Sequence, residues 1–443
     1  VQTCALPICS IGQTKNSTIN ANSLKFAAKG DVILDGDNNK LSEINVGTVG
    51  GNFALKNDSD KLTANFAGDV TGEIEINQSG DVALEGSVNS NVLSLTSEKG
   101  DIISTGGLKA TEAINLSVGT FTHEGEIHTE KLTIATDNGV KITNTENTFS
   151  GLEISSRDGK AINGSVNVTT KADTYNANVN SDVTGDLILT NTKKPNGALS
   201  LSGKDTINVG GNFSLEALGD INYGSTVSAG KDVSIKSRNL YRKPQTSKYF
   251  STPGNMTFNI SNEIGTTDSP ILIGNTEKGL GLNVYAGGGY IRGVNSGTLT
   301  LGNITTDKVL NISSEDSIAQ VSDKRINVRN IEIAAANAIT LDNADNNIDK
   351  LVLNSLDKKN TGSVSVNSIP QNGFTVEGDL STAESVSITT NKALTLNNEI
   401  KADKNIELTA GGQSICGIYI CFGDLSIPQW EIRVKEGKNW VTV

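Results

Sequence analysis

Aliphatic residues alternate with Ser, Thr and Asn along nearly the whole chain, and this period of two is typical of strands with one buried face. Each run offers only two or three inward positions, so very short strands are expected. No stretch shows a convincing helical periodicity, and the pattern therefore predicts an all-β protein. Clear examples of the alternation are Ile74 and Ile76, Val82 and Leu84, Leu93 and Leu95, Ile114, Leu116 and Val118, Leu132 and Ile134, Leu152 and Ile154, Val364 and Val366, Val386 and Ile388, Leu394 and Leu396, and Ile406 and Leu408.

A Gly-Asp pair followed by an aliphatic residue recurs between these strands. Glycine admits positive φ, the aspartate bonds the neighbouring backbone, and the aliphatic residue opens the next strand. Strands and turns together form a degenerate repeat of roughly 20 residues, within the range of solenoids, and its clearest copy is Gly210–Lys236. The motif begins at Gly30, Gly68, Gly80, Gly100, Gly185, Gly219, Gly378 and Gly423.

Two architectures use short strands of this kind: a sandwich or barrel, and a coiled solenoid. A sandwich favours longer strands, aromatic anchors and Asn-Gly hairpin turns, and these features are sparse. In a parallel β-helix, like residues stack on like residues and small aliphatic side chains fill a narrow interior. The repeat therefore favours a parallel β-helix of about 20 coils, on the order of 100 Å long.

Composition restricts both the core and the partners. Aromatic residues make up 4% of the 443 residues, so the core is expected to be aliphatic. The chain carries 37 Lys and Arg against 49 Asp and Glu, a net charge of −12, which disfavours nucleic acid and anionic lipid as partners. No run of 18 or more apolar residues occurs, so no membrane span is expected.

The ends of the chain depart from the repeat. Residues 1–9 begin with VQTCALPI, which looks like translated sequencing adapter, and we expect them to be an artefact or a disordered leader. The repeats are expected to form one rod over residues 10–426. Residues 427–443, which contain Trp430 and Trp440, are interpreted as a cap over the open coil edge or as the start of another module.

Four cysteines occur, of which Cys4 lies in the suspect leader and Cys9 at its edge. Cys416 and Cys421 are therefore the credible disulfide candidate. Their offset of five residues places them on opposite faces of a straight strand, so a bridge requires a turn at Gly417. A disulfide, two buried free thiols, and a redox or metal role are the three alternatives.

The segment Lys236–Phe250 is the strongest local departure from the acidic, aromatic-poor pattern. Basic and aromatic side chains together can recognise glycans, phosphates or peptides. The alternatives are a surface loop that leaves the solenoid between coils, and a loop that also contacts a ligand. The candidate ligand-binding residues are Arg238, Tyr241, Arg242, Lys243, Lys248 and Tyr249.

Other candidate chemistry is weak. His123 and His128 flank two glutamates, but their odd spacing and the lack of a further histidine favour exposed turn residues over a metal site. The acidic clusters at residues 35–39 and 342–349 offer oxygen ligands for calcium, yet match no known calcium loop. Ordinary turns with stacked asparagines are favoured there. No catalytic residue, metal site or cofactor is predicted, with calcium kept as the alternative.

Three segments, Gly210–Ile235, Ile264–Gly302 and Ala393–Ile415, resemble the repeats of filamentous-haemagglutinin-type large exoproteins. The similarity extends over most of Ser10–Ser426 and consists of degenerate repeats. It implies a right-handed parallel β-helix that a two-partner outer-membrane transporter exports to the bacterial surface or the medium. There it would act as an adhesin that binds a glycan or protein receptor on host or bacterial cells.

Two other functions stay open. Relatives of this family also serve as stalks that deliver toxins on contact, and parallel β-helices elsewhere carry polysaccharide lyases and hydrolases. Such enzymes need convergent carboxylates in a groove lined by aromatic residues. The one segment rich in basic and aromatic residues lacks carboxylates, so we expect no enzymatic activity.

Overall fold

The computed structural model describes residues 9–274, 281–294, 297–356, 362–378, 380–398, 400–411, 415–416, 433–436 and 439–442. These ranges contain strands and turns and no helix. The strands run parallel and stack as a β-solenoid of about 18 turns. The all-β class and the parallel solenoid are thereby confirmed, and the number of turns is close to the expected number. The expectation of very short strands is wrong for several strands, such as Leu282–Gly293 with 12 residues.

The chain divides into two compact units, of which the first is Val1–Ser225. Its strands in chain order are β1 Ile11–Gly12, β2 Asn20–Ala28, β3 Val32–Leu34, β4 Lys40–Val49, β5 Phe53–Asn57, β6 Lys61–Phe66, β7 Ile74–Gln78, β8 Asp81–Gly86, β9 Val88–Ser97, β10 Ile102–Ser104, β11 Leu108–Val118, β12 Phe121–His123, β13 Ile127–His128, β14 Lys131–Thr136, β15 Val140–Ile142, β16 Gly151–Ser155, β17 Ala161–Ile162, β18 Val166–Thr170, β19 Thr174–Val179, β20 Asp182–Val183, β21 Leu187–Asn191, β22 Ala198–Gly203, β23 Thr206–Val209, β24 Phe213–Ala217 and β25 Ile221–Tyr223.

The second unit is Thr226–Val443. Its strands are β26 Thr226–Ala229, β27 Val233–Arg242, β28 Tyr249–Ser251, β29 Met256–Ile264, β30 Ile271–Ile273, β31 Leu282–Gly293, β32 Leu299–Thr306, β33 Leu310–Ser314, β34 Ile318–Gln320, β35 Ile326–Ala335, β36 Ile339–Leu341, β37 Asn347–Ser355, β38 Val364–Ser368, β39 Phe374–Gly378, β40 Leu380–Thr390, β41 Leu394–Leu396, β42 Ile400–Ala410, β43 Ile415–Cys416, β44 Arg433–Glu436 and β45 Asn439–Thr442.

Within each unit a strand pairs in parallel with the strand one coil further along the chain. The repeat length varies, since Ile114 pairs with Leu132 after 18 residues, whereas Met256 pairs with Leu282 after 26. The last two strands, β44 and β45, pair antiparallel. The variable length is taken up by the turns and by register shifts inside some paired strands, such as the shift between Ile260 and Glu263.

The core of each unit is a stack of aliphatic side chains, as the alternation predicts. Val82 and Leu84 on β8 are buried, and Val82 pairs with Ile102 in the next coil. A few aromatic side chains join the stack, and the rings of Phe26 and Phe53 lie 5.2 Å apart between centroids. Identical burial in successive coils fixes the register, because a slip of one residue would turn the aliphatic face outward.

The Gly-Asp motif has a different basis from the one expected. Among the motif glycines that the structure describes, only Gly378 has a positive φ, of 113°. The others are needed because the previous coil approaches closely: a Cβ on Gly80 would lie 2.1 Å from the Asp60 carbonyl oxygen, and one on Gly100 would lie 2.5 Å from the Asp81 nitrogen. The expectation of positive φ is therefore wrong for most copies, and close backbone contact takes its place.

Candidate functional site

The basic and aromatic segment is less of a loop than the sequence suggested. Residues 236–242 belong to β27, and Tyr249 and Phe250 belong to β28, so only residues 243–248 form a connection between strands. Gln245 in that connection has a positive φ of 58°, and the Thr246 hydroxyl donates to the Lys243 carbonyl oxygen at 2.7 Å. We name residues 243–248 the basic turn.

Arg242 and Tyr241 are held by neighbouring coils. Arg242 is only 8% exposed, and its Nε donates to the Pro270 carbonyl oxygen at 3.0 Å. The Tyr241 hydroxyl donates to Glu263 Oε2 at 3.0 Å. Glu263 was not singled out from the sequence, because it lies 22 residues from Tyr241 and no local pattern connects them. Both side chains therefore have structural contacts, whatever ligand role they have.

The remaining candidates differ in exposure. Lys243 is exposed at the start of the basic turn, and Lys248 and Arg238 are half-buried. Tyr249 is half-buried and covers Gly274, where an added Cβ would lie 2.8 Å from the tyrosine ring. Lys243 is thus the one exposed residue among the six candidates, and Tyr249 follows the other end of the basic turn.

His123 and His128 lie in different environments. His123 on β12 is 1% exposed and its ring stacks on Phe121 at 6.0 Å, so the expectation of an exposed turn residue is wrong for His123. Neither of its ring nitrogens makes a hydrogen bond of normal geometry. Burial lowers the His123 pKa to about 4, although the nearby backbone of Glu126 and Gly125 offsets part of that effect.

His128 on β13 is half-buried. Its Nε2 lies 3.0 Å from Glu126 Oε2, and its Nδ1 is hydrogen-bonded to the Thr148 hydroxyl. No group of three or more His, Cys, Asp or Glu side chains placed to hold a metal ion occurs among the described residues. The two histidines lie on separate strands, His123 at the end of β12 and His128 at the end of β13.

The first acidic cluster forms a turn built around a buried amide. Asn39 is fully buried, and its Oδ1 accepts hydrogen bonds from Ile19 N at 2.8 Å and from Gln13 Nε2 at 2.7 Å. Asp37 pairs with Lys56 at 2.6 Å, a contact that lowers the pKa of the Asp37 carboxyl. A turn at Asp37 and Asn38 is confirmed, and the buried Asn39 side chain bonds Gln13 on the preceding coil.

The second acidic cluster repeats this arrangement in the other unit. Asn346 is fully buried and exchanges two hydrogen bonds with Gln320, of 2.7 and 2.8 Å. Its Oδ1 also accepts from Ile326 N at 2.9 Å. The Gln320 and Asn346 pair and the Gln13 and Asn39 pair have the same spacing of 26 residues. Both clusters thus share one arrangement, in which a buried asparagine side chain bonds a glutamine side chain and a backbone N–H of the preceding coil.

The remaining expectations concern the cysteines and a membrane span. The disulfide candidate lies outside the described residues, since Cys421 and the side chain of Cys416 are not described. Cys9 is exposed with a free thiol. Nowhere in the described ranges does a helix reach the length and hydropathy of a membrane span.

Comparison with known proteins gives one partial match. Residues 288–355 match the family model described as "Repeats of unknown function (DUF5649)". No curated protein and no solved structure matches the chain. The matched segment runs from β31 to β37 and contains both Gln320 and Asn346. The similarity to known proteins therefore supports repetition and does not extend to a named activity.

Proposed function

We propose that this chain is a structural and adhesive filament segment of a secreted or surface-displayed bacterial exoprotein, without catalytic activity. The carrying observation is the parallel β-solenoid itself, together with the repeat match over residues 288–355. Such solenoids present extended surfaces that suit binding to large partners. Export by a two-partner outer-membrane transporter, and a glycan or protein receptor on host or bacterial cells, belong to the same proposal.

The basic turn is the proposed receptor contact in this account. Lys243 is exposed on a chain of net charge −12, so it offers a local positive charge on a chain that is acidic overall. Tyr249 adds an aromatic surface held against Gly274. A cation beside an aromatic ring can bind anionic or sugar groups with a defined orientation.

The test uses fluorescent beads coated with the chain and counted on epithelial and bacterial cells. We expect saturable binding of the parent chain and about tenfold weaker binding, roughly 1.4 kcal/mol, for the double variant Lys243→Ala and Tyr249→Ala. The matched control is Lys392→Ala with Tyr285→Ala, which removes an exposed lysine and an exposed tyrosine from the same unit. The control should bind like the parent.

Two results would contradict the proposal. Beads coated with folded parent chain that bind no better than uncoated beads would remove the adhesive role. Release of reducing or unsaturated ends from pectin or another acidic glycan would show an enzyme instead. Equal binding by the turn variant and the control would remove the basic turn as the contact while leaving adhesion in place.

A further inference from the structure

A hollow on the outer surface of the second unit lies where β31 carries three consecutive glycines, Gly287, Gly288 and Gly289. A Cβ on Gly287 would lie 2.2 Å from the Asn262 carbonyl oxygen, and one on Gly288 would lie 2.6 Å from that of Val309. The neighbouring coils thus exclude side chains from this strand. The hollow measures about 520 Å³, inside the range of roughly 300–1,000 Å³ that is typical of small-molecule sites.

Polar and aromatic side chains from four coils surround these glycines. Glu263 pairs in register with Gly288, one coil away. Tyr290 pairs with Asn311, and Asn311 with Glu332, so these three side chains form a column along the solenoid. The side chains that line the hollow are Asn262, Glu263, Tyr290, Lys308, Asn311 and Glu332.

Several of these side chains are held in place before any ligand arrives. The Tyr241 hydroxyl donates to Glu263 Oε2 at 3.0 Å, and the Glu263 backbone N donates to Asn239 Oδ1 at 3.1 Å. Lys308 Nζ donates to Asn262 Oδ1 at 3.2 Å, although the two residues are 46 positions apart. Lys308 therefore reaches across the glycine coil, and a ligand would meet an ordered wall, which lowers the entropy cost of binding.

We propose that this hollow is a binding site for a neutral or N-acetylated saccharide. Tyrosine offers a flat apolar face with a polar tip, which suits the C–H face of a sugar ring. Carboxylate and amide groups can accept and donate the hydrogen bonds of sugar hydroxyls. Two carboxylates, Glu263 and Glu332, face a single lysine, so uronic and sulfated sugars are disfavoured.

This site is separate from the receptor contact proposed for the basic turn, and its preference for uncharged sugars is the opposite of what a lysine-rich turn favours. The lining residues from Gly288 to Glu332 lie within the repeat match over residues 288–355, whereas Asn262 and Glu263 precede it. The hollow therefore adds a ligand class that the adhesive role by itself does not specify.

The experiment is saturation-transfer difference NMR of the purified chain with cellotriose, chitotriose and trigalacturonate as probes. We expect signal from cellotriose or chitotriose and none from trigalacturonate. Tyr290→Ala and Glu263→Gln should weaken binding at least about tenfold, whereas Tyr290→Phe keeps the ring face and should bind like the parent. Glu407→Gln, an exposed glutamate on β42, is the matched control, and thermal melts verify folding.

The proposal is overturned if neither neutral probe gives signal with the parent chain, or if folded Tyr290→Ala and Glu263→Gln bind as well as Glu407→Gln. Trigalacturonate as the preferred probe would also overturn it. If beads coated with the parent chain do not adhere to cells but the chain still gives the NMR signal, only the adhesive function is contradicted. The two proposals can therefore fail independently.

Discussion

Asp81 Oδ1 accepts a hydrogen bond from the backbone N of Asp101, one coil further along the chain, at 2.9 Å. Asp101 repeats the contact with its own Oδ1, which accepts from Thr120 N at 2.7 Å. Asp31 and Asp186 make the same contact, with the backbone N of Asn52 and of Asn212. Four aspartates of Gly-Asp turns thus accept a hydrogen bond from the backbone N–H that precedes a strand of the next coil. The motif is recurrent because it stitches neighbouring coils, a role that a carboxylate at an exposed turn can fill without entering the core.

This ladder predicts a local effect of Asp101→Ala. Loss of one acceptor should raise the hydrogen-exchange rate of the Thr120 amide by about fivefold, which corresponds to a hydrogen bond of about 1 kcal/mol. Asp101→Asn keeps an acceptor oxygen and should exchange like the parent, as Asn52 Oδ1 already accepts from Glu73 N at 2.9 Å. Equal exchange in the alanine and asparagine variants would contradict the stitching role.

The buried amide pair of Gln320 and Asn346 predicts a larger effect. Asn346→Ala would leave Gln320 and the Ile326 N–H without this partner inside the coil. Buried polar groups without partners cost about 1–3 kcal/mol each. We expect faster hydrogen exchange across β34–β37 and earlier cleavage by trypsin.

The control for that variant is Asn330→Ala, since Asn330 is an exposed asparagine on β35 in the same coil region. It should leave exchange across β34–β37 unchanged. A stable Asn346→Ala chain, with exchange equal to that of the control, would mean that the amide pair contributes little.

His123 makes stability depend on pH. Its pKa is about 4 in the folded chain and 6.5 when unfolded, so the unfolded state binds more protons between those values. The contribution of His123 to the free energy of unfolding should therefore fall as the pH is lowered from 6.5 to 4 and level off below 4, with a loss on the order of 3 kcal/mol. His123→Leu should melt with a weaker pH dependence over this window than the parent. If the melting temperatures of the two chains change equally with pH, His123 does not cause the pH dependence.

The Arg157 side chain connects several coils through its guanidinium group. Its guanidinium donates to the carbonyl oxygens of Ser97, at 2.7 Å, and Glu98, at 3.1 Å, and it also pairs with Asp137. Because Arg157 is about 60 residues from its carbonyl partners, its removal should loosen the turns of three coils at once. Arg157→Ala is expected to speed proteolysis near residues 97–98 and 137. Lys160→Ala removes a neighbouring exposed cation whose pair is the nearby Asp158, and it should not.

Much of the fold was predictable from the sequence because it depends on local alternation. Val82 and Leu84 are buried as expected, since a strand with one wet face fixes which residues point inward. The burial of the Asn39 side chain was not predictable, because its partners Gln13 and Ile19 lie 26 and 20 residues away on another coil. The burial of His123 and Arg242 was missed for the same reason: an adjacent coil decides which polar groups can be covered.

Successive coils stack in parallel, and five register pairs of the first unit provide the test. Glu75, Ser94, Asn115, Thr133, Glu153 and Asn178 form one continuous column of paired outward positions. Spin labels are placed at Glu75 with Thr133, and at Glu75 with Asn178, after the native cysteines are changed to serine. Electron paramagnetic resonance measures the distance between the two labels. The backbone spacing beneath them should be about 14 Å for the first pair and about 24 Å for the second, which are three and five steps of roughly 4.8 Å. Distances that do not grow with the number of coils, as in two face-packed antiparallel sheets, would contradict the account.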